Sequence, residues 1–424
     1  MKSFSTIEAQ QRQNLLILFA AGLLFWSSLA SMLPTLPPYI EDIGGTKQQV
    51  GIVMGCFAVG LLLFRPTLGH LADYRSRKLV VIIGTTVAGV APLGYLVVHS
   101  IGGLMLLRAF HGISIAAFTT GYMALVTDLS PVEKRGELIG YMTLATPLGV
   151  AIGPALGGFL QAGAGYTSLF LFSGGLGLLA TLCSSQVSEP KRVEVSEPKT
   201  APPLLQLIWQ LLVSSRLRIP ALVLLLVGLA FGSISTFIAL FIRETGVNLN
   251  PGWFFTAAAI ASFMMRLVIG RASDRYGRGL FITGSLVCYG LSMIMISQAQ
   301  SPQAFLVAGF FEGAGAGALL PLMIALISDR SSASERGQVF AISVSGFDLG
   351  IAIAGPVFGS LADSIGYHGI FALTAALTFL ALIIFITQSS KDLSHSLRFA
   401  TGRERDLYAI SGSPSSLPMD SPGE

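Results

Sequence analysis

Runs of about twenty apolar residues recur along the chain, each closed by a short polar or basic stretch. A helix rises 1.5 Å per residue, so each run is long enough to cross a hydrocarbon core of about 30 Å. The pattern predicts spans at 14–38, 48–70, 78–98, 102–126, 137–160 and 165–185. A second set follows at 218–243, 250–270, 279–298, 302–327, 338–362 and 367–388. Between the sets, SSQVSEPKRVEVSEPKTAPP reads as a flexible linker. The LLQLIWQLLVSSRLR that follows reads as a helix lying along the membrane surface. The chain ends in SGSPSSLPMDSPGE, which is too polar to pack and is expected to be disordered. The predicted organisation is a six-helix bundle over 1–185, a cytoplasmic linker over 186–217, a second bundle over 218–388 and a disordered cytoplasmic tail over 389–424.

Composition agrees. Of 424 residues, 52% are hydrophobic and only 11% charged, against roughly 25% charged in a soluble domain. A soluble, nucleic-acid-binding or multidomain cytosolic protein is excluded. The three cysteines, Cys56, Cys183 and Cys288, fall singly in apolar runs and outline neither a disulfide framework nor a metal site. No cleavable signal peptide precedes the first span. No P-loop, HExxH or GxSxG is present, so the chain does not read as an enzyme and no cofactor is expected.

The placement of charge carries more than its sum. Twenty-one of the 26 basic residues fall on one face of the twelve-span topology, which puts that face and both termini in the cytoplasm. Lys47 and Arg243 stand on the opposite face, and Arg65, Arg108 and Arg266 lie within spans. The halves also repeat. Arg65, Gly69, Asp73 and Arg77 recur 201 residues later as Arg266, Gly270, Asp274 and Arg278. Asp128, Arg135, Gly136 and Gly149 recur at the same offset as Asp329, Arg336, Gly337 and Gly350. Parallel six-helix repeats place a substrate site between them near the midplane and imply alternating access by rocking.

The loop after span two reads GHLADYRSRK (Gly69 to Lys78), and its partner reads GRASDRYGRG (Gly270 to Gly279). Both resemble the cytoplasmic loop signature of the major facilitator superfamily, and the other repeats extend the resemblance over nearly the whole membrane part. The first copy carries Ser76 where glycine is usual, which leaves its loop conformation open. The resemblance implies that Asp73 and Asp274 pair with arginines of neighbouring helices and latch the halves on the inside. The spacing of six residues between Asp128 and Arg135, and between Asp329 and Arg336, also resembles the superfamily and extends that charge network. In span five, GVAIGPALGG looks like the motif that the superfamily associates with antiporters, particularly drug:proton exporters. Gly149, Gly153, Gly157 and Gly158 would flatten one helix face and Pro154 would bend it. Span one ends in LPTLPPYI, similar to a proline-bearing motif of twelve-helix exporters; its prolines could equally just end the helix.

Few charges lie deep in the spans. Arg108, in LLRAFHGISIAA, resembles the span-four arginine that the superfamily links to proton transfer, and His111 stands one turn on where glutamine is usual. Arginine stays protonated, so Arg108 would tune a partner, while His111 could titrate or serve as a hydrogen-bonded packing residue. The repeat aligns His111 with Glu312 in span ten, and Asp348 lies at similar depth in span eleven. An acid shielded from water favours its neutral form and gives up its proton when water reaches it, so these two are the candidate proton carriers. Trp26, Ser27 and Ser31 of span one and Phe237 of span seven are candidate cavity residues, with Phe231, Phe241, Phe254 and Phe255 nearby.

The sequence therefore points to an all-α membrane protein with twelve transmembrane helices in two pseudo-symmetric bundles, the major facilitator fold. It is expected to act as a monomer in a bacterial inner membrane. Its function would be export of a small amphipathic molecule, a drug-like compound or a sugar-type metabolite, against entering protons. A proton symporter that imports a metabolite is the alternative, and a non-transporting membrane sensor fits the duplicated loop motifs poorly.

Overall fold

A computed structural model describes residues 8–131, 134–189, 214–331 and 336–410, with the side chains of 271 and 336–344 left out. Most of the expected linker and of the proposed surface helix, residues 190–213, lies outside the described residues. Those residues are overwhelmingly helical. The first half comprises α1 (Ala9–Ser31), α2 (Leu36–Asp42), α3 (Lys47–Tyr74), α4 (Arg77–Gly94), α5 (Ile101–Leu129), α6 (Arg135–Met142) and α7 (Ala145–Gln186). The second comprises α8 (Arg218–Glu244), α9 (Gly252–Tyr276), α10 (Arg278–Ser297), α11 (Pro302–Asp329), α12 (Arg336–Gln388) and α13 (Leu393–Ala400).

Among the described residues, ten stretches are long and apolar enough to cross a membrane. Two of these contain a pair of spans each, which makes twelve. The breaks are at Gly165 in α7 (φ 78°) and Gly366 in α12 (φ 65°). Both glycines adopt the left-handed conformation that a Cβ disfavours, and nothing lies within 4 Å of where a Cβ would be. The requirement is therefore conformational and not steric. These positions are also 201 residues apart, so the hairpins joining spans five to six and eleven to twelve are one repeated device.

Local chemistry fixes several helix starts. Thr46 and Gln49 form a reciprocal capping box at α3. Ser76, Ser100 and Ser301 each accept a backbone N–H at the start of α4, α5 and α11. Together these helices make an all-α membrane protein of twelve transmembrane helices in two six-helix bundles. By contact, residues to 189 with 235–256 and 355–360 form one compact unit; 214–234, 257–354 and 361–410 form the other.

The expectation of a disordered tail from 389 onward needs correction. Residues 393–400 are helical, with Ser396, Phe399 and Ala400 buried. Asp392 caps this helix: the His395 backbone N–H donates to its carboxylate and holds it below the usual carboxylate range. The chain then packs back as far as Ile410, whose N–H donates to the Asp329 carbonyl. Only 411–424 of the expected tail lie outside the described residues.

Candidate functional site

On the basic face, the two loop signatures fold around different backbones. Ser76 is extended (φ −166°), whereas Gly277, its repeat counterpart, is left-handed (φ 89°). The departure at Ser76 has its own use: besides capping α4 it donates to Glu189, whose other oxygen accepts the Arg77 N–H at 2.8 Å. The ion pairs are nonetheless the same in both halves. Arg77 meets Asp128 at 2.5 Å and donates to the Ala124 carbonyl, and Arg278 meets Asp329 at 2.8 Å. Each pair joins the start of one span to the end of the next within a single unit.

The aspartates of the two loop signatures lie at the ends of their helices. Asp73 is exposed at the end of α3. Asp274 is also exposed and reaches Arg278 at 3.6 Å across the loop. A Cβ at Gly69 or Gly270 would meet nothing within 4 Å. Arg135 opens α6 and Arg336 opens α12, the latter with its side chain outside those described. Asp128 thus has Arg77, from the loop signature, as a close partner. Replacing Arg77 by Met or Asp128 by Asn is expected to slow transport. The double variant should be no worse than either, because the pair acts as one unit. A double-mutant cycle on transport rate, run on variants with equal membrane levels, checks this; strictly additive losses would refute the pairing.

Deeper in the bilayer, the first unit places His111 and Arg108 one turn apart, both buried. The Tyr95 hydroxyl lies 3.4 Å from His111 Nδ1. The Arg108 guanidinium sits 4.4 Å from the Phe57 ring centroid and beside the Tyr95 hydroxyl, with its Nε lacking a hydrogen-bond partner. In the second unit Glu312 is 5% exposed, with the Tyr289 hydroxyl beside it but outside ordinary hydrogen-bond geometry. A tyrosine from the preceding span thus faces each titratable group. The glycine that follows each group also presses on the span-two or span-eight backbone. A Cβ at Gly112 would lie 1.9 Å from the Phe57 carbonyl, and one at Gly313 would lie 1.8 Å from that of Ala258. These pairs match at the 201-residue offset, so the histidine and the acid occupy one repeated niche. Asp348 is buried in α12 at 7% exposure.

The span-five motif forms a stripe against α1. A Cβ at Gly149 would fall 2.5 Å from Trp26 Cβ, at Gly153 2.7 Å from the Ser27 carbonyl, and at Gly157 2.0 Å from the Ser31 carbonyl. Gly158 turns the other way, toward the Asn250 side chain, and the Pro154 carbonyl lies against Gly252. This placement corrects the expectation for span one. Ser27 and Ser31 are buried in the α1–α7 contact and do not line a cavity wall, and Ser31 donates to the Ser28 carbonyl at 2.7 Å. Trp26 is half-buried, edge-on to Phe25, and Phe237 is fully buried.

A further polar cluster escaped the sequence reading. On the face opposite the basic loops, Arg243 meets Asp42 at 2.6 Å and Glu41 at 3.5 Å. The Tyr166 hydroxyl donates to Asp42 at 2.7 Å, and Lys47 meets Glu244 at 3.4 Å. Beside them lies a cavity of about 320 Å³ lined by Pro34, Pro38, Gln161, Tyr166, Arg243 and Asn250, among others. The signal was in the charge tally: Lys47 and Arg243, the two basic residues on the wrong side, are the two that carry these pairs. Among the described residues, no group of three His, Cys, Asp or Glu is placed to hold a metal.

Comparison with known proteins agrees with this geometry. The family model described as Major Facilitator Superfamily matches residues 17–251 and 248–409. The multi-drug resistance efflux pump PmrA of Streptococcus pneumoniae is 27% identical over 385 residues, covering 87% of this chain and 94% of its own. The multidrug resistance protein MdtG of Escherichia coli is 25% identical over 381 residues, covering 86% and 91%. Among solved structures, the nucleoside transporter NupG superposes with a TM-score of 0.73 at 15% identity, over 87% of this chain and 98% of that one. The human organic anion transporter MFSD10 does so at 0.64 and 19%, over 89% and 100%. At those identities the structural likeness is one of fold.

Proposed function

The chain belongs to the major facilitator superfamily, and from that premise we propose that it is a proton-coupled antiporter exporting small amphipathic, drug-like molecules. It is a multi-pass membrane transporter and not an enzyme. The observation that carries the coupling is Glu312, a carboxyl group buried in the middle of α11 with a tyrosine as its polar neighbour. A charged acid at this depth costs several kcal/mol unless paired or wetted. Glu312 therefore holds its proton while enclosed and releases it when the surroundings fill with water. The Gly149–Gly158 stripe and the likeness to multidrug efflux pumps support export over uptake.

In this reading the protein works as a monomer in a bacterial inner membrane, with both termini cytoplasmic. It needs no cofactor, and the proton gradient supplies the energy. The Arg77–Asp128 and Arg278–Asp329 pairs secure the cytoplasmic ends of each bundle. The exposed pairs at Arg243 and Lys47 are weak enough in water to break and re-form each cycle.

Everted vesicles with an acidified lumen test the direction. Adding ethidium on the outside is expected to drive protons out of the lumen as the dye enters, read by a pH-sensitive probe trapped inside. Protons entering together with the dye would instead establish symport, and no linked proton movement would remove the coupling.

A further inference from the structure

Arg330 is the largest fully buried side chain in the second unit, and no step of the transport reading uses it. Four hydrogen bonds hold its guanidinium. Nε and Nη2 donate to the two oxygens of Asp406 at 2.7 and 2.9 Å, a bidentate fork that only arginine can make with a carboxylate. Nη2 also donates to the Ser389 carbonyl and Nη1 to the Arg216 carbonyl, each at 2.8 Å. The Tyr408 ring lies 5.2 Å from it and the Phe399 ring 5.8 Å. One side chain therefore ties together the entry to span seven, the exit of span twelve and the tail.

The neighbouring contacts fasten the tail further. A Cβ at Gly279 would fall 2.1 Å from the Phe399 carbonyl, so α13 lies directly on the start of α10. Thr283 donates to the Ala400 carbonyl at 2.9 Å, and Ile410 binds the Asp329 backbone. Asp329 is the residue before Arg330, and its carboxylate is the partner of Arg278. Arg330 with Asp406 and Arg278 with Asp329 are thus two close ion pairs in one buried corner.

We infer that Asp406 is a positioning residue for transport: by occupying Arg330 it leaves Asp329 to Arg278, so residues 389–410 are a working part of the second bundle's cytoplasmic end. The first bundle solves the same problem with other residues. Arg330 has Leu129 as its counterpart at the 201-residue offset, and the chain leaving span six supplies Glu189 to Ser76 and Arg77. In both bundles the segment leaving the sixth span returns an acid to the corner that holds the loop arginine. Without Asp406, the buried Arg330 loses its carboxylate, and the adjoining Asp329 is drawn to it at the expense of the close pair with Arg278.

Asp406→Asn, Arg330→Met and the double variant separate this from a passive anchor. Ethidium efflux is the readout, compared at equal membrane levels, and it rests on the export reading above. Asp406→Asn is expected to lower the maximal rate at least fivefold with little change in the half-saturating concentration. The double variant, which has no competing guanidinium, is expected to recover to within twofold of the parent. Parent-like efflux in Asp406→Asn, or a double variant as slow as the single, would overturn the inference. A second measurement needs no substrate. In detergent, the docked tail should delay tryptic cleavage at Arg403 and Arg405 in the parent relative to Asp406→Asn. Cleavage at equal rates would show that Asp406 does not seat the tail and would likewise overturn it. If the parent moves no ethidium while its tail is protected, the export reading fails and the seating stands.

Discussion

Glu312→Gln is expected to abolish gradient-driven export at every pH while leaving the protein in the membrane. Glutamine keeps the shape of the side chain and a polar end for the Tyr289 hydroxyl beside it. The niche is already built for a neutral group, since Glu312 is 5% exposed among apolar helices and its ionised form is costly there. Folding should therefore survive. What disappears is the proton: an amide at this depth neither takes one up nor gives one up. Uphill efflux should fall by at least tenfold, equivalent to about 1.4 kcal/mol or more in the driven step. Downhill exchange of substrate, which needs the conformational cycle but no proton, should continue. The measurement is efflux with and without an imposed pH gradient, across pH 5.5 to 8.5. A variant whose pH profile matches the parent's would mean that another group carries the proton. Asp348→Asn is the comparison, since it is another acid buried within the second bundle's spans. Coupling lost there and kept in Glu312→Gln would move the role to Asp348.

Most of the fold was legible because a bilayer permits few solutions. Apolar runs of sufficient length set the spans. The 201-residue offset that matched Asp73 with Asp274 also matched structures no motif had named: the left-handed Gly165 and Gly366, and the pressed Gly112 and Gly313. Pairings were less legible. The loop motif drew attention to Asp73 and Asp274, whereas the close pairs of Arg77 and Arg278 with Asp128 and Asp329 cross to the next span and no motif spacing announced them. Which acid an arginine reaches depends on how neighbouring helices lean, and spacing along one helix cannot report that. Ser27 and Ser31 misled for a related reason. A small polar residue in a span serves a cavity or a close helix contact equally well, and the glycines opposite them decided for contact. The tail was misjudged because its composition is polar on average. Arg330 and Asp406, 76 residues apart in sequence, become a pair only once the chain turns back.

Gly157→Ala tests that close contact with the smallest possible change, and it is expected to cost both stability and transport. The added methyl would lie 2.0 Å from the Ser31 carbonyl oxygen and 2.7 Å from its carbon. Both are backbone atoms, so no rotamer relieves the clash, and α7 has to move away from α1. That movement cannot stay local. Gly149 and Gly153 lie on the same face at intervals of four, each within 3 Å of α1 atoms. Separating the helices at Gly157 loosens a contact that runs for more than two turns. Overpacking of this kind costs about 1–3 kcal/mol, and in lipid no hydrophobic force between helices offsets lost packing. Gly158→Ala should be milder. Its methyl would meet the end of the Asn250 side chain, which can swing aside and give up its hydrogen bond to the Gly252 N–H. Gly175→Ala, in the sixth span beyond the break at Gly165, is the control: nothing lies within 4 Å of that site, and alanine favours the helix by up to about 1 kcal/mol. Thermal unfolding in detergent should therefore rank Gly157→Ala below Gly158→Ala, with Gly175→Ala at or above the parent. Efflux rates should follow the first two of these. Equal melting of the Gly157 and Gly175 variants would show that the stripe is spacious, and the close-contact account of the span-five motif would have to be abandoned.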